Sequence, residues 1–90
     1  MPAPAHSHHR TRAAQISLEA APTDERVHVV AVEGNRETIG LLAQLQVRPG
    51  AVLRVLRSAP LGGPLLVECG GSTVIISRRL AERVRVEVLR

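Results

Sequence analysis

The sequence contains no Phe, Tyr or Trp and no lysine, and it has a single cysteine. Each absence excludes something. Without aromatic side chains the chain lacks the grooves that dock proline-rich ligands and the platforms on which single-stranded nucleic acids stack. Without lysine there is no Gly-x-x-x-x-Gly-Lys phosphate loop. One cysteine rules out an internal disulfide and fits a reducing compartment. No apolar run approaches the length that spans a bilayer, and the start of the chain lacks the apolar stretch of a secretory signal, so the expected location is the cytoplasm.

Ninety residues make one small domain with a simple core. That core is aliphatic, and its β-branched share favours strands. The formal charge of +4 comes from twelve arginines against eight carboxylates. Nucleic-acid binding needs basic residues clustered on one face, whereas Arg26, Arg36, Arg48, Arg54, Arg57, Arg78, Arg79, Arg83 and Arg85 are interspersed with acids, the pattern of a solvated surface.

Residues 1–15 are polar and aperiodic and read as a disordered tail, with the folded domain spanning 16–90. His6, His8 and His9 in that tail offer a weak, incidental affinity for a soft divalent metal and not the fixed four-ligand frame of a structural site. No cofactor is expected.

The domain alternates short strands with turns. Arg26 to Glu33 is β-branched and nearly apolar on both faces and reads as a strand covered on both sides, with His28 at its rim; Gly34-Asn35 ends it. Ile39, Leu42, Ala43 and Leu45 recur at helical spacing between Arg36 and Gln46, which predicts one short amphipathic helix. Pro49 and Gly50 suit the two central positions of a type II turn. In the strand Ala51 to Arg57, Leu53 and Val55 point inward with Arg57 at the end of the same face, and Val52, Arg54 and Leu56 point outward. Leu65, Val67 and Cys69 form the inner face of the next strand, which makes the thiol a core group. Gly70-Gly71 is a hairpin turn, and Val74 and Ile76 continue inward beyond it. Ser77 is a helix N-cap before one helical turn, and Val84 to Val88 alternates as a closing strand. Short antiparallel strands in a small chain predict a partly closed barrel, since closure hides edges.

Ala59-Pro60-Leu61-Gly62-Gly63-Pro64 stands out. Its prolines and glycines make it a stiff hairpin connection, yet it carries a leucine at its tip. Leu61 either folds back to plug the open end of the barrel or serves as an apolar knob for a partner.

Three segments in order, Leu42 to Gly50, Ser58 to Pro64 and Ala81 to Val86, give the chain from Ile16 to Leu89 a resemblance to the ferrous iron transport protein A family, FeoA. The resemblance implies a mainly β, Src-homology-3-like small barrel with one short helix after the first strand and one helical turn before the last. It implies a cytoplasmic accessory protein that binds the GTPase portion of a membrane Fe(II) transporter, FeoB-like, and modulates its activity or assembly. The candidate contacts are Pro60, Leu61, Gly62 and Gly63, flanked by Arg57 and Arg54. Gln46 departs from the glycine usual before the Pro-Gly turn, as does the Pro22 to Glu25 turn, and a left-handed backbone at Gln46 carries strain of about 1 kcal/mol. The same barrel resembles the C-terminal module of iron-dependent transcriptional repressors, so a detached regulatory domain is the alternative. No catalytic constellation is visible: Ser58, Ser72, Thr73 and Ser77 all have turn or cap roles. Membrane association is expected only through the partner, and exposed strand edges leave a homodimer open.

Overall fold

The computed structural model describes residues 14–89. The expected tail, residues 1–15 with His6, His8 and His9, lies almost wholly outside them. The elements in order are β1 (Ile16–Ser17), a 3-10 turn (Leu18–Ala20), β2 (Arg26–Val32), α1 (Arg36–Gln44), β3 (Val52–Ser58), β4 (Leu65–Cys69), β5 (Ser72–Ile76), the helical turn α2 (Arg78–Ala81) and β6 (Val84–Val88). They form one antiparallel sheet in the order β1-β6-β2-β3-β4-β5. Among the described residues no ladder joins β1 to β5, so the expected barrel is present only as far as an open six-stranded sheet.

That sheet wraps its inner face around a single aliphatic core. Val27, Val29, Leu53, Val55, Leu65, Val67, Cys69, Ile76, Val84 and Val86 are buried together with Leu18 from the 3-10 turn, Leu42 and Val47 around α1, and Ala81 from α2. The inward positions read from the alternation in β3 and β4 are the buried ones. Bending comes from two bulges, one between Val29 and Ala31 in β2 and one between Val55 and Arg57 in β3. An extra residue kinks a strand and increases its twist, which lets a short sheet curl.

Three sequence readings are corrected. β2 is not buried on both faces: only Val27 and Val29 are buried, and His28, Val30, Ala31 and Val32 are half-buried. Ile39 is exposed, not part of the buried stripe of α1; in a nine-residue helix only Leu42 reaches the core fully. Arg57 does not share the inner face with Leu53 and Val55. The bulge at Leu56 shifts the register so that Arg57 stands opposite Leu66, on the outer face.

The turns follow their residue chemistry. Asn35 caps α1, its side-chain oxygen accepting from the Thr38 N–H at 2.8 Å. At the other end the Val47 N–H donates to the Leu42 carbonyl and the Gln46 N–H to that of Ala43, a Schellman motif with Gln46 in the left-handed position at φ 71°. Arg48-Pro49-Gly50-Ala51 closes with an Ala51 N–H to Arg48 carbonyl bond of 3.0 Å and Gly50 at φ 95°, as a type II turn requires. Ser77 caps α2 through Leu80 N–H.

Candidate functional site

The connection between β3 and β4 is built in two layers. At its base the Ala59 N–H donates to the Pro64 carbonyl at 3.0 Å, and at its tip the Gly63 N–H donates to the Pro60 carbonyl at 3.1 Å. Leu61 and Gly62, the two central residues of that tip, have φ 61° and 75°, the sign pattern of a type I′ turn. Glycine takes this conformation freely; leucine does so at a cost of about 1–2 kcal/mol. The Leu61 side chain is 103% exposed, so it does not plug the fold. Strained backbone and a fully solvated leucine thus coincide at one residue.

The turn is tied down from below by Arg78, the first residue of α2. Its Nε donates to the Gly63 carbonyl at 3.1 Å, and its Nη2 to the Ala59 carbonyl at 3.1 Å and the Ser58 Oγ at 2.8 Å. Nη1 reaches Glu19 Oε2 at 3.4 Å. A guanidinium suits this task because its donors lie in one rigid fork. Gly63 is required for a steric reason: a Cβ there would stand 2.8 Å from the Ala59 Cβ. Neither Arg78 nor Glu19 was visible as a site residue in sequence. Both lie far along the chain from the turn, and only the topology brings α2 and the 3-10 turn beneath it.

The flanking arginines separate. Arg54, expected to be available to a partner, is held by its cross-strand neighbour Glu68, with Nη2 at 2.8 Å and Nε at 3.1 Å from Oε1. Arg57 is exposed and has no carboxylate partner among the described residues. It borders an apolar groove of about 220 Å³ with Ala59, Pro64, Leu65, Leu66 and Ile75. Pro60, Leu61, Gly62 and Gly63 stand together at the adjoining tip.

Among the other polar groups described, Cys69, Ser58 and Ser77 are held in structural contacts. Cys69 is buried, its Sγ donating to the Leu45 carbonyl at 3.4 Å, and burial, reinforced by the nearby Glu68 carboxylate, pushes its pKa above the ordinary thiol range. A raised pKa is the opposite of what a nucleophilic thiol needs. His28 faces Glu87 across the sheet at 4.0 Å. Ser58 Oγ and Ser77 Oγ are occupied by Arg78 and by the α2 cap. Among the described residues no three His, Cys, Asp or Glu side chains converge to hold a metal, and no helix is long and apolar enough to cross a membrane.

Comparison with known proteins agrees with this architecture. A crystal structure of an iron uptake regulatory protein (FeoA) matches with a TM-score of 0.80 at 30% identity, over 84% of this chain and 100% of that one. The solution structure of the FeoA protein from Chlorobium tepidum matches at 0.76 and 33% identity, over 83% and 71% of the two chains. A manganese-dependent transcriptional repressor matches at 0.77 over 86% of this chain and 43% of its own, but at 19% identity, which carries the fold alone. No curated protein matches. The FeoA domain model matches residues 16–88, and with the Src-homology-3-like small β fold in place the chain belongs to the FeoA domain family.

Proposed function

We propose that this chain is a cytoplasmic, non-enzymatic accessory protein of ferrous iron uptake that docks on the GTPase portion of a membrane Fe(II) transporter and modulates its activity or assembly. Membership of the FeoA domain family supports the link to ferrous iron transport. The observation that carries the docking reading is Leu61: a leucine held in the left-handed region, fully in solvent, on a turn clamped by Arg78. Backbone strain costs stability, and strained residues cluster at binding and switch sites, where the surrounding structure holds them. Covering a leucine returns about 1.5–3 kcal/mol. A knob already rigid also loses little entropy on binding.

The test is a titration of the transporter's cytoplasmic GTPase domain with the full chain and with its Leu61→Asp variant. Wild type should bind, and the folded variant should bind at least tenfold more weakly. Equal binding by both removes Leu61 from the interface, and no binding by either removes the partner. The alternative, a detached repressor module, rests on a likeness of fold at 19% identity and has no site observation in its favour.

A further inference from the structure

The two most exposed large apolar side chains among the described residues are Leu61, at 103%, and Ile75, at 69%. Both border one groove. Ala59 and Pro64, which close the base of the turn that carries Leu61, line the apolar groove of about 220 Å³, and Ile75 lines it as well. Arg57 is the one charged residue in that lining.

A single row crosses the sheet here. Arg57 in β3 stands opposite Leu66 in β4, and Leu66 stands opposite Ile75 in β5. Arg57 belongs to this face because the bulge at Leu56 turns it outward. Neighbouring strands lie about 4.8 Å apart, so the row spans about 10 Å, cationic at one end and apolar at the other. The adjacent row differs. In Arg54–Glu68–Thr73 the guanidinium is already held by a carboxylate at 2.8 Å. Arg57 has no such partner among the described residues.

From this layout we infer that the protein surface that receives Leu61 also covers the groove, with an apolar side chain over Leu66 and Ile75 and a carboxylate against Arg57. This contact deepens the docking reading above, on which it rests. Turn and groove are continuous, so a surface seated on the leucine tip meets the groove as well. Covering Ile75 and Leu66 removes apolar area from water. The uncommitted guanidinium sets the chemistry of what lies beside them: its planar fork of donors matches a carboxylate, and a cation in that place disfavours a basic surface. Because the row runs across the strands, its occupant lies over the sheet face and not along the β5 edge.

The experiment titrates the transporter's cytoplasmic GTPase domain with the full chain and with Arg57→Glu, Ile75→Ser, Leu61→Asp and Arg36→Glu, the last an exposed arginine on α1 outside the groove lining. All four side chains are exposed, and thermal melts confirm that each variant is folded. Wild type should bind, Arg57→Glu and Ile75→Ser should each bind about tenfold more weakly, and Arg36→Glu should bind as wild type does. Added salt should weaken wild-type binding, and Arg57→Gln should flatten that dependence. If Arg57→Glu binds as tightly as wild type while Leu61→Asp binds weakly, the groove contact is overturned and the Leu61 reading stands. No binding by wild type overturns both. An equal loss in Arg36→Glu also overturns the groove contact, because the effect is then one of general charge. So does a concentration-dependent dimer of the chain alone that Arg57→Glu dissolves, since the occupant is then a second copy.

Discussion

Leu61, Gln46 and Asp24 are the three non-glycine residues with positive φ among the described residues, and each sits in a turn. Gln46 and Leu61 differ in what the strain accomplishes. At Gln46 it ends a helix: the Schellman motif brings Val47 down onto Leu42, and both are fully buried. Glycine does this without strain, so we predict that Gln46→Gly stabilises the protein. The left-handed penalty of about 1–2 kcal/mol exceeds the extra unfolded-state entropy of glycine, about 0.4–1 kcal/mol. The net gain should raise Tm by about 2–6 °C in a thermal melt; a lower Tm contradicts this reading. Cys69 gives a second residue-scale prediction. Its raised pKa stabilises the fold fully below the unfolded thiol pKa, and that contribution is lost as pH rises through the folded value. With no lysine or tyrosine in the chain, little else titrates in this window. Denaturant midpoints should therefore fall from pH 8 to pH 11 in wild type and stay flatter in Cys69→Ala. A wild-type profile as flat as the variant's contradicts the burial argument.

At the scale of elements, the Ala59–Pro64 turn and α2 act as one unit. Arg78 bonds to both limbs of the turn, and bonds from charged groups contribute about 1.5–3 kcal/mol each before solvent screening. Arg78→Ala should destabilise the fold by about 2 kcal/mol and speed hydrogen exchange at Ala59 and Gly63, and Arg78→Lys should only partly restore it, because an ammonium cannot span both limbs. Exchange in Arg78→Ala as slow as wild type removes Arg78 from the clamp. This unit also marks the limit of what local sequence reveals. The turn, its glycines and its leucine were legible from Pro60 to Pro64, as were both Gly-Gly and Pro-Gly turns, because these residues restrict the backbone locally. The clamp was not, since Arg78 looks like any solvated arginine until the sheet order places it beneath Ala59. The bulge at Leu56 left one trace, since strict alternation from Leu53 and Val55 puts a charged Arg57 on the inner face, and the register shift itself is set by pairing with β4. Arg54 and Arg57, both expected to flank the turn as contacts, therefore separate, one held by Glu68 and the other exposed at the groove.

For the whole molecule, a small aliphatic core supports two exposed features side by side: a rigid leucine tip and an open strand edge with an apolar groove. The alternation of apolar residues was enough to assign the core and most strands. It did not reveal β1, the 3-10 turn or the open edges, which depend on pairing between distant segments. The central claim is that Leu61 contributes to binding and not to folding. The most direct measurement pairs the denaturant stability of Leu61→Asn with its affinity for the transporter's cytoplasmic GTPase domain, asparagine being tolerated in the left-handed region. The account predicts stability equal to or above wild type and a loss of affinity of about 2 kcal/mol, roughly 30-fold. A destabilised variant that binds as tightly as wild type would contradict it.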